Sequence, residues 1–172
     1  DPGFEYGESH VFDVSGMEPQ LACPHSVDNV DTLAHVTANR EIKLNQGYIG
    51  SCTGGREEDI AVAARIVKGR HIPPYSRLVV VPASSEVMLS CMEKGYIQDL
   101  MNAGATITTP GCGACLGAHE GIIAPGETCI SSTNRNFPGR MGSNQASIYL
   151  ASPATVAASI INGRITDPRD YL

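Results

Sequence analysis

The sequence predicts an α/β domain of the three-layer α/β/α kind, in which helices cover the faces of a mainly parallel sheet. Short apolar runs at 46–50 and 78–81 indicate strands, the second of them buried on both faces. Helical patterns of apolar residues lie between the predicted strands, and the connections are short. Alternation of this kind is typical of layered α/β sheets, so the ends of the strands are the first place to look for chemistry.

The first predicted helix follows the strand at 46–50. Its first turn, residues 57–59, is acidic, which is favourable at the positive end of a helix dipole. Apolar residues recur at i, i+3, i+4 and i+7 from Ile60, and Lys68-Gly69 ends the pattern.

The remaining elements follow the same alternation. Ser84 and Ser85 are candidate caps of a second helix that ends at Gly95, and a shorter helix is predicted over 97–103. Further strands are predicted at 106–108 and 128–131. Ser152-Pro153 then begins a last helix that Asn162-Gly163 ends.

The first part of the chain is the least regular, with one short strand predicted at His10–Val14. We expect residues 1–40 to be an irregular lead-in from a preceding domain and residues 41–172 to form the α/β domain. The chain begins at Asp1 and not at Met, so we also expect it to be a piece of a longer protein.

Composition excludes several classes of partner. The chain has 172 residues, 42% hydrophobic and 17% charged, which is ordinary for one globular domain. A net charge of -6 gives no sign of the basic surface that binds nucleic acid or an anionic membrane. No apolar run approaches the length of a membrane span. A domain of this size does not need disulfides, so its cysteines favour a reducing, cytoplasmic setting.

Three of the six cysteines lie where a strand ends and glycines surround them. Cys112 and Cys115 form a C-x-x-C after the strand at 106–108, and Cys52 follows the strand at 46–50. Glycines expose backbone N–H groups, which can approach the sulfurs of an anionic cluster. Three thiolates can hold three irons of a [4Fe–4S] cube and leave the fourth free to act as a Lewis acid.

Other interpretations of these cysteines stay open at this point. Cys52, Cys112, Cys115 and His119 could form a tetrahedral zinc site. A redox pair or a disulfide between residues 112 and 115 is disfavoured, because the surroundings are not electropositive and so short a loop gains little from a crosslink. The other three cysteines are interpreted as small buried hydrophobic residues: Cys23, Cys91 and Cys129.

Residues 132–140 combine two arginines and two asparagines in a loop shaped by Gly and Pro. The planar guanidinium groups of Arg135 and Arg140 suit the carboxylates of a small substrate, and an Asn amide can donate to a cluster sulfide. A solvated loop with incidental ion pairs is the plainer interpretation for an arbitrary arginine pair.

Three segments together resemble the aconitase superfamily, and within it most strongly the family of 3-isopropylmalate dehydratase large subunits. They are Gly-Ser-Cys-Thr-Gly-Gly-Arg (50–56), Thr-Pro-Gly-Cys-Gly-Ala-Cys-Leu-Gly (109–117) and Thr-Asn-Arg-Asn-Phe-Pro-Gly-Arg (133–140). The resemblance covers nearly the whole chain and implies the third, cluster-binding α/β domain of the family. One departure is Gly54, which stands where many members have Asn.

The resemblance implies roles for seven residues. Cys52, Cys112 and Cys115 match the [4Fe–4S] ligands, Arg135 and Arg140 match the substrate carboxylate ligands, and Asn134 and Ser51 match positions beside the cluster. The implied reaction isomerises a 2-hydroxy di- or tricarboxylate by dehydration and rehydration, as in leucine biosynthesis. Homoaconitate and 2,3-dimethylmalate or methylmalate-type substrates are the alternatives.

The resemblance also implies that much of the enzyme is absent from this chain. The family's acid–base residues come from the preceding domains of the large subunit and from a small, swivel-domain subunit. We therefore expect no catalytic residue in this chain and no activity from it alone. The alternative from another class is a non-catalytic zinc- or thiol-binding domain.

Overall fold

The computed structural model describes residues 2–172, so Asp1, on which the expectation of a longer protein rests, lies outside the described residues. The strands are β1 (Gln20–Ala22), β2 (Val30–Thr32), β3 (Gln46–Gly50), β4 (Arg77–Val81), β5 (Thr106–Ile107), β6 (Thr128–Ser131) and β7 (Ser147–Leu150). The α-helices are α1 (Leu33–Thr37), α2 (Ser51–Gly54), α3 (Glu57–Val67), α4 (Ser85–Glu93), α5 (Tyr96–Asn102) and α6 (Pro153–Asn162). Two 3-10 helices cover Gly113–Leu116 and Pro168–Tyr171.

All of these strands belong to one sheet, in the order β2-β1-β7-β6-β3-β4-β5. The five strands from β3 to β7 are parallel to one another, and β1 pairs antiparallel with both β7 and β2. The prediction of an α/β fold with a mainly parallel sheet is confirmed.

The helix ends follow the signals in the sequence. The Ser84 hydroxyl accepts from the Val87 amide at the start of α4, and the Ser152 hydroxyl accepts from the Thr155 amide at the start of α6. Gly163, with φ of 65°, ends α6 in the left-handed conformation that glycine adopts without strain. The predicted elements from residue 46 onward are confirmed to within one or two residues, and β7 is an additional strand.

One face of the sheet is covered by helices. Residues of β3, β4 and β6 on this face pack with the buried sides of α3, α4, α5 and α6 in one apolar cluster. Gly47 in β3 allows close packing, since a Cβ there would lie 3.2 Å from Ile160 Cγ1 of α6. This face contains most of the apolar core.

The opposite face is covered by a 3-10 helix and loops. Here Tyr48, Val79 and Ile148 of the sheet pack with Ala114, Cys115, Ile123 and Met141, which come from the β5–β6 and β6–β7 connections. In the described residues, the layer on this face therefore consists of largely irregular chain. It contains the cysteine pair and the arginine segment (residues 132–140).

The beginning of the chain differs from the prediction. No strand forms at His10–Val14, where Val11 is 96% and Phe12 is 81% exposed, because no neighbouring strand in residues 2–172 pairs with this segment. Residues 20–37 form β1, β2 and α1, which the sequence did not predict, and β1 joins the sheet through β7. The domain boundary at residue 40 stays a prediction.

The described residues contain no helix with both the length and the apolar character needed to cross a membrane.

Candidate functional site

The centre of the sheet contains a topological switch point, where the order in which strands are added reverses. β3 and β6 are neighbours, but the chain leaves β3 toward β4 on one side and leaves β6 toward β7 on the other. In open α/β sheets, the crevice beyond the carboxyl ends of two such strands is where ligands bind. Cys52 follows β3 and the arginine segment follows β6, so both candidate segments begin at this crevice.

The turn that carries Cys52 has a constrained backbone. Ser51 is buried and has φ of 55°, an uncommon conformation for a residue with a side chain. Such conformations are typical of functional sites, where the surrounding structure maintains them. Cys52 itself is exposed.

Ser132, at the end of β6, holds this turn. Its hydroxyl accepts from the Gly50 amide at 3.0 Å and donates to the Gly54 carbonyl at 3.0 Å. A Cβ at residue 54 would overlap the Ser132 side chain and carbonyl. Gly54, the departure from the family pattern, is therefore required by close packing in this chain.

The C-x-x-C loop is attached to the same strand. The Cys112 carbonyl accepts from the Cys115 amide at 2.9 Å within the 3-10 turn and from the Tyr48 hydroxyl of β3 at 3.0 Å. Burial raises the pKa of Tyr48, and the electrostatic effect of the neighbouring Cys115 adds to that shift, so the hydroxyl keeps the proton that it donates. Cys112 is exposed and Cys115 is 7% exposed.

The arginine segment reaches the C-x-x-C loop through Arg140. Its Nη2 lies 3.8 Å from Cys115 Sγ, and its guanidinium lies 5.6 Å from the centre of the Phe137 ring. Its Nε is buried without a hydrogen-bond partner in residues 2–172, a costly state for a donor and one that suits a site built for an acidic ligand.

Arg135 and Asn134 are both exposed. Arg135 Nη1 donates to the Asn134 carbonyl at 2.9 Å, which leaves the other guanidinium donors available. The structure thus brings Arg140 to the cysteine loop and leaves Arg135 at the surface of the same segment.

The three thiols can be tested against two kinds of metal site. Among residues 2–172, no three His, Cys, Asp or Glu side chains are grouped so that they could hold a metal ion. His119, the fourth candidate zinc ligand, is exposed, and its Nδ1 lies 3.5 Å from a carboxylate oxygen of Glu120. Ligands of one ion must converge on one point, and the tetrahedron of the alternative zinc interpretation is not assembled among residues 2–172.

The same residues have the donor chemistry that an iron–sulfur cluster would use. Each cysteine ligand of a [4Fe–4S] cube binds a different iron, so the thiols surround the cube without converging on one atom. The donor set of three thiols, with an arginine beside one of them and glycine-rich backbone around all, has the chemistry that such an anionic group requires.

The other three cysteines are not part of the candidate site. Cys91 and Cys129 are fully buried free thiols, as predicted, and burial raises the pKa of Cys129 to about 12. Cys23 is only half-buried, and burial together with the Asp31 carboxylate raises its pKa. No disulfide joins cysteines in the described part of the chain.

The sequence did not single out four residues that build the site: Gln46, Tyr48, Ser132 and Asn136. Asn136 is fully buried, and its amide donates to the carbonyls of Cys23 at 2.8 Å and Ala22 at 3.3 Å, which attaches the first hairpin to the arginine segment. A polar Gln at the start of the apolar run 46–50 was the available signal for one of the four. The other three act through partners distant in sequence.

Comparison with known proteins decides the family. The model of the aconitase family (aconitate hydratase) matches residues 1–163. The chain belongs to the aconitase family. A 3-isopropylmalate dehydratase large subunit of Archaeoglobus fulgidus is 50% identical to it over 172 residues, which are 100% of this chain and 41% of that protein.

Relatives with another name are almost as similar. The homoaconitase large subunit of Thermus thermophilus is 47% identical over 170 residues, covering 99% of this aconitase-family chain and 40% of that protein. A probable methanogen homoaconitase large subunit of Methanosarcina mazei is 48% identical over 169 residues, 98% of this chain and 42% of that protein. The chain therefore spans about two fifths of the length of these relatives.

Proposed function

We propose that this chain is the cluster-binding part of an aconitase-type hydro-lyase, with Cys52, Cys112 and Cys115 as the ligands of a [4Fe–4S] cluster. The observation that carries the proposal is the meeting of three motifs at one crevice. Ser132 connects the arginine segment to the Cys52 turn, and Arg140 connects it to Cys115.

The cluster would supply a Lewis acid that polarises the hydroxyl leaving a 2-hydroxy acid, because three protein ligands leave one iron accessible. The residues of this chain bind and orient. Arg140, beside Cys115, would hold a substrate carboxylate near the cluster through its guanidinium group. Arg135 would hold a second carboxylate, and Asn134 and Ser51 would border the cluster.

The names of the relatives support 3-isopropylmalate as the substrate, with homoaconitate as the second candidate. 3-Isopropylmalate is a hydroxy acid with two carboxylates, and homoaconitate is an alkene with three carboxylates, so both suit an arginine pair. The proton-transfer groups would come from preceding domains and from a small-subunit partner, because the chain spans only part of its relatives. Residues 41–172 would then be the cluster-binding domain of a cytoplasmic enzyme.

Anaerobic reconstitution of the full-length protein that carries this chain tests the proposal. With iron and sulfide we expect broad visible absorbance and the iron and sulfide content of one [4Fe–4S] cluster per chain. Incubation with zinc is the parallel experiment. Stoichiometric zinc binding by the three cysteines, without any bound iron and sulfide, would contradict the proposal and support the zinc domain.

An activity assay tests whether the proton-transfer groups lie outside this chain. The reconstituted full-length subunit, mixed with its small-subunit partner, should interconvert the hydroxy acid and its alkene. The 172-residue chain alone should show no turnover. Turnover by the chain alone would show that the proton-transfer groups are within it.

A further inference from the structure

Two buried polar side chains of β3 point to a function beyond core packing. Gln46 and Tyr48 are two residues apart, so they lie on the same face of the strand, and both are 0% exposed. Tyr48 donates to the Cys112 carbonyl at 3.0 Å, and the Gln46 amide donates to the Gly121 carbonyl at 2.7 Å. The pair thus binds the two ends of the loop 112–121 that carries Cys112 and Cys115.

The Gln46 anchor is itself held in place. Its Oε1 accepts from Arg77 Nε at 2.6 Å, and Arg77 forms two further bonds to the Glu127 carboxylate at 2.8 and 2.5 Å. Glu127 also accepts from the Ala124 amide at 2.8 Å. The chain that follows the loop is therefore fixed to the sheet by the same network.

Apolar residues would fill these two positions at lower cost. A buried polar group destabilises the fold unless it is hydrogen-bonded, and here the Tyr48 hydroxyl and the Gln46 amide both donate to loop carbonyls. The loop has one 3-10 turn, Gly113–Leu116, as its regular structure, and an isolated bridge joins Ile123, just after the loop, to Gly142. The position of the loop depends on these specific bonds together with the packing of Ala114 and Cys115 against the sheet.

β3 also ends in the turn that carries Cys52. One strand therefore determines where all three proposed ligands lie. We infer that Tyr48 and Gln46 are positioning residues that fix the Cys112–Cys115 loop relative to Cys52. This inference rests on the proposed function in naming the thiols as cluster ligands, but the anchoring itself can be measured without a cluster.

The first test uses the cluster-free full-length protein with Tyr48→Phe, which removes only the donor. Site-resolved alkylation, followed by mass spectrometry, compares Cys115 with Cys91 in the opposite core as an internal reference. We expect Cys115 to react about fivefold faster while Cys91 is unchanged, because one lost buried hydrogen bond favours local opening by about that factor. Tyr149→Phe is the matched control, since within residues 2–172 that hydroxyl accepts only a long bond from Arg40 at 3.5 Å.

Gln46→Met gives a second variant of similar length that cannot bind the Gly121 carbonyl. It should also raise the Cys115 rate relative to Cys91. If both variants leave the Cys115 to Cys91 ratio at the parental value, or raise both rates together through global unfolding, the inference is wrong.

Retention of iron is the second readout. In reconstituted protein, Tyr48→Phe should release iron to a chelator about fivefold faster than the parent, and Tyr149→Phe should match the parent. Equal release from all three proteins would contradict the inference. If the parent holds no cluster at all, the proposed function fails, and the alkylation ratio still decides whether Tyr48 and Gln46 anchor the loop.

Discussion

The helical face of the sheet and its loop-covered face are stabilised by different interactions. On the helical face, side chains of α3 and α6 pack against β3 and β4 in a continuous apolar cluster. On the other face, a smaller apolar cluster is supplemented by hydrogen bonds of single side chains, among them Tyr48, Gln46 and Ser132, which attach the cysteine loop and the arginine segment. The stabilisation from apolar packing is distributed over many atoms. The geometry of a loop that depends on a few side-chain hydrogen bonds can be changed by one substitution.

This difference suits a site that must receive a group. A loop without a helical ladder can present backbone amides and thiols toward a ligand, and the rigid sheet beneath it keeps them in register. The three predictions below test whether the two faces respond separately.

The largest effect is expected on the helical face. Ile60→Ala in α3 removes a side chain that is 0% exposed and should lower the free energy of unfolding by about 3 kcal/mol, measured by denaturant titration. At denaturant concentrations where the protein is folded, the reactivity of Cys115 should be unchanged. Leu89→Ala, at a residue that is 60% exposed, is the control and should change stability by less than about 0.5 kcal/mol. A selective rise in Cys115 reactivity in the Ile60 variant would show that the faces are coupled.

A smaller effect, confined to the edge of the sheet, is expected from Gly54→Ala. The added Cβ would overlap Ser132, which must shift and lose its bonds to the Cys52 turn, so unfolding should become easier by about 2 kcal/mol. Thermal unfolding and the cluster content after reconstitution both report the change. Gly16→Ala, where nothing lies within 4 Å of the new Cβ, should match the parent in both measurements. Parental cluster content in the Gly54 variant would argue against a role for this turn.

The smallest effect is expected from Glu127→Gln, which weakens the pair with Arg77 beneath the loop. Hydrogen bonds from Arg77 lower the pKa of Glu127 from its ordinary value of 4.5. The pair therefore stabilises the fold above pH 4.5, and this contribution is lost as the pH falls through the lowered pKa. Because Arg77 is 41% exposed, water screens the pair and the loss at neutral pH should be about 1 kcal/mol or less.

Unfolding free energies measured from neutral to acidic pH check this prediction. The parent should lose stability more steeply than Glu127→Gln below pH 4.5, so the two curves should converge in acid. Glu5→Gln, at an exposed residue of the N-terminal segment, should follow the parental curve. Parallel curves for the parent and the Glu127 variant would show that the pair does not contribute.

The comparison of the two faces also explains what the sequence could predict. α3, α4 and α6 were predicted because apolar periodicity and residues such as Ser84, Ser152 and Gly163 encode helices locally. The strand predicted at His10–Val14 was wrong, because alternating apolar residues do not reveal whether a partner strand exists.

The sequence predicted the motifs of the candidate site but not the side chains that hold these motifs in position. The cysteines and arginines could be named from the segments that resemble the family. Tyr48, Gln46 and Ser132 could not, because each acts through a partner more than sixty residues away in sequence. Their roles depend on strand register, which one sequence does not encode in a readable way.

The most direct test of the central claim is the cluster content of single cysteine variants of the full-length protein, reconstituted in parallel under anaerobic conditions. Cys52→Ser, Cys112→Ser and Cys115→Ser should each lose the visible absorbance and the bound iron and sulfide of the parent. Cys91→Ala and Cys129→Ala, in the buried core, should retain them. Parental iron and sulfide content in any of the three serine variants would contradict the assignment of that cysteine as a ligand.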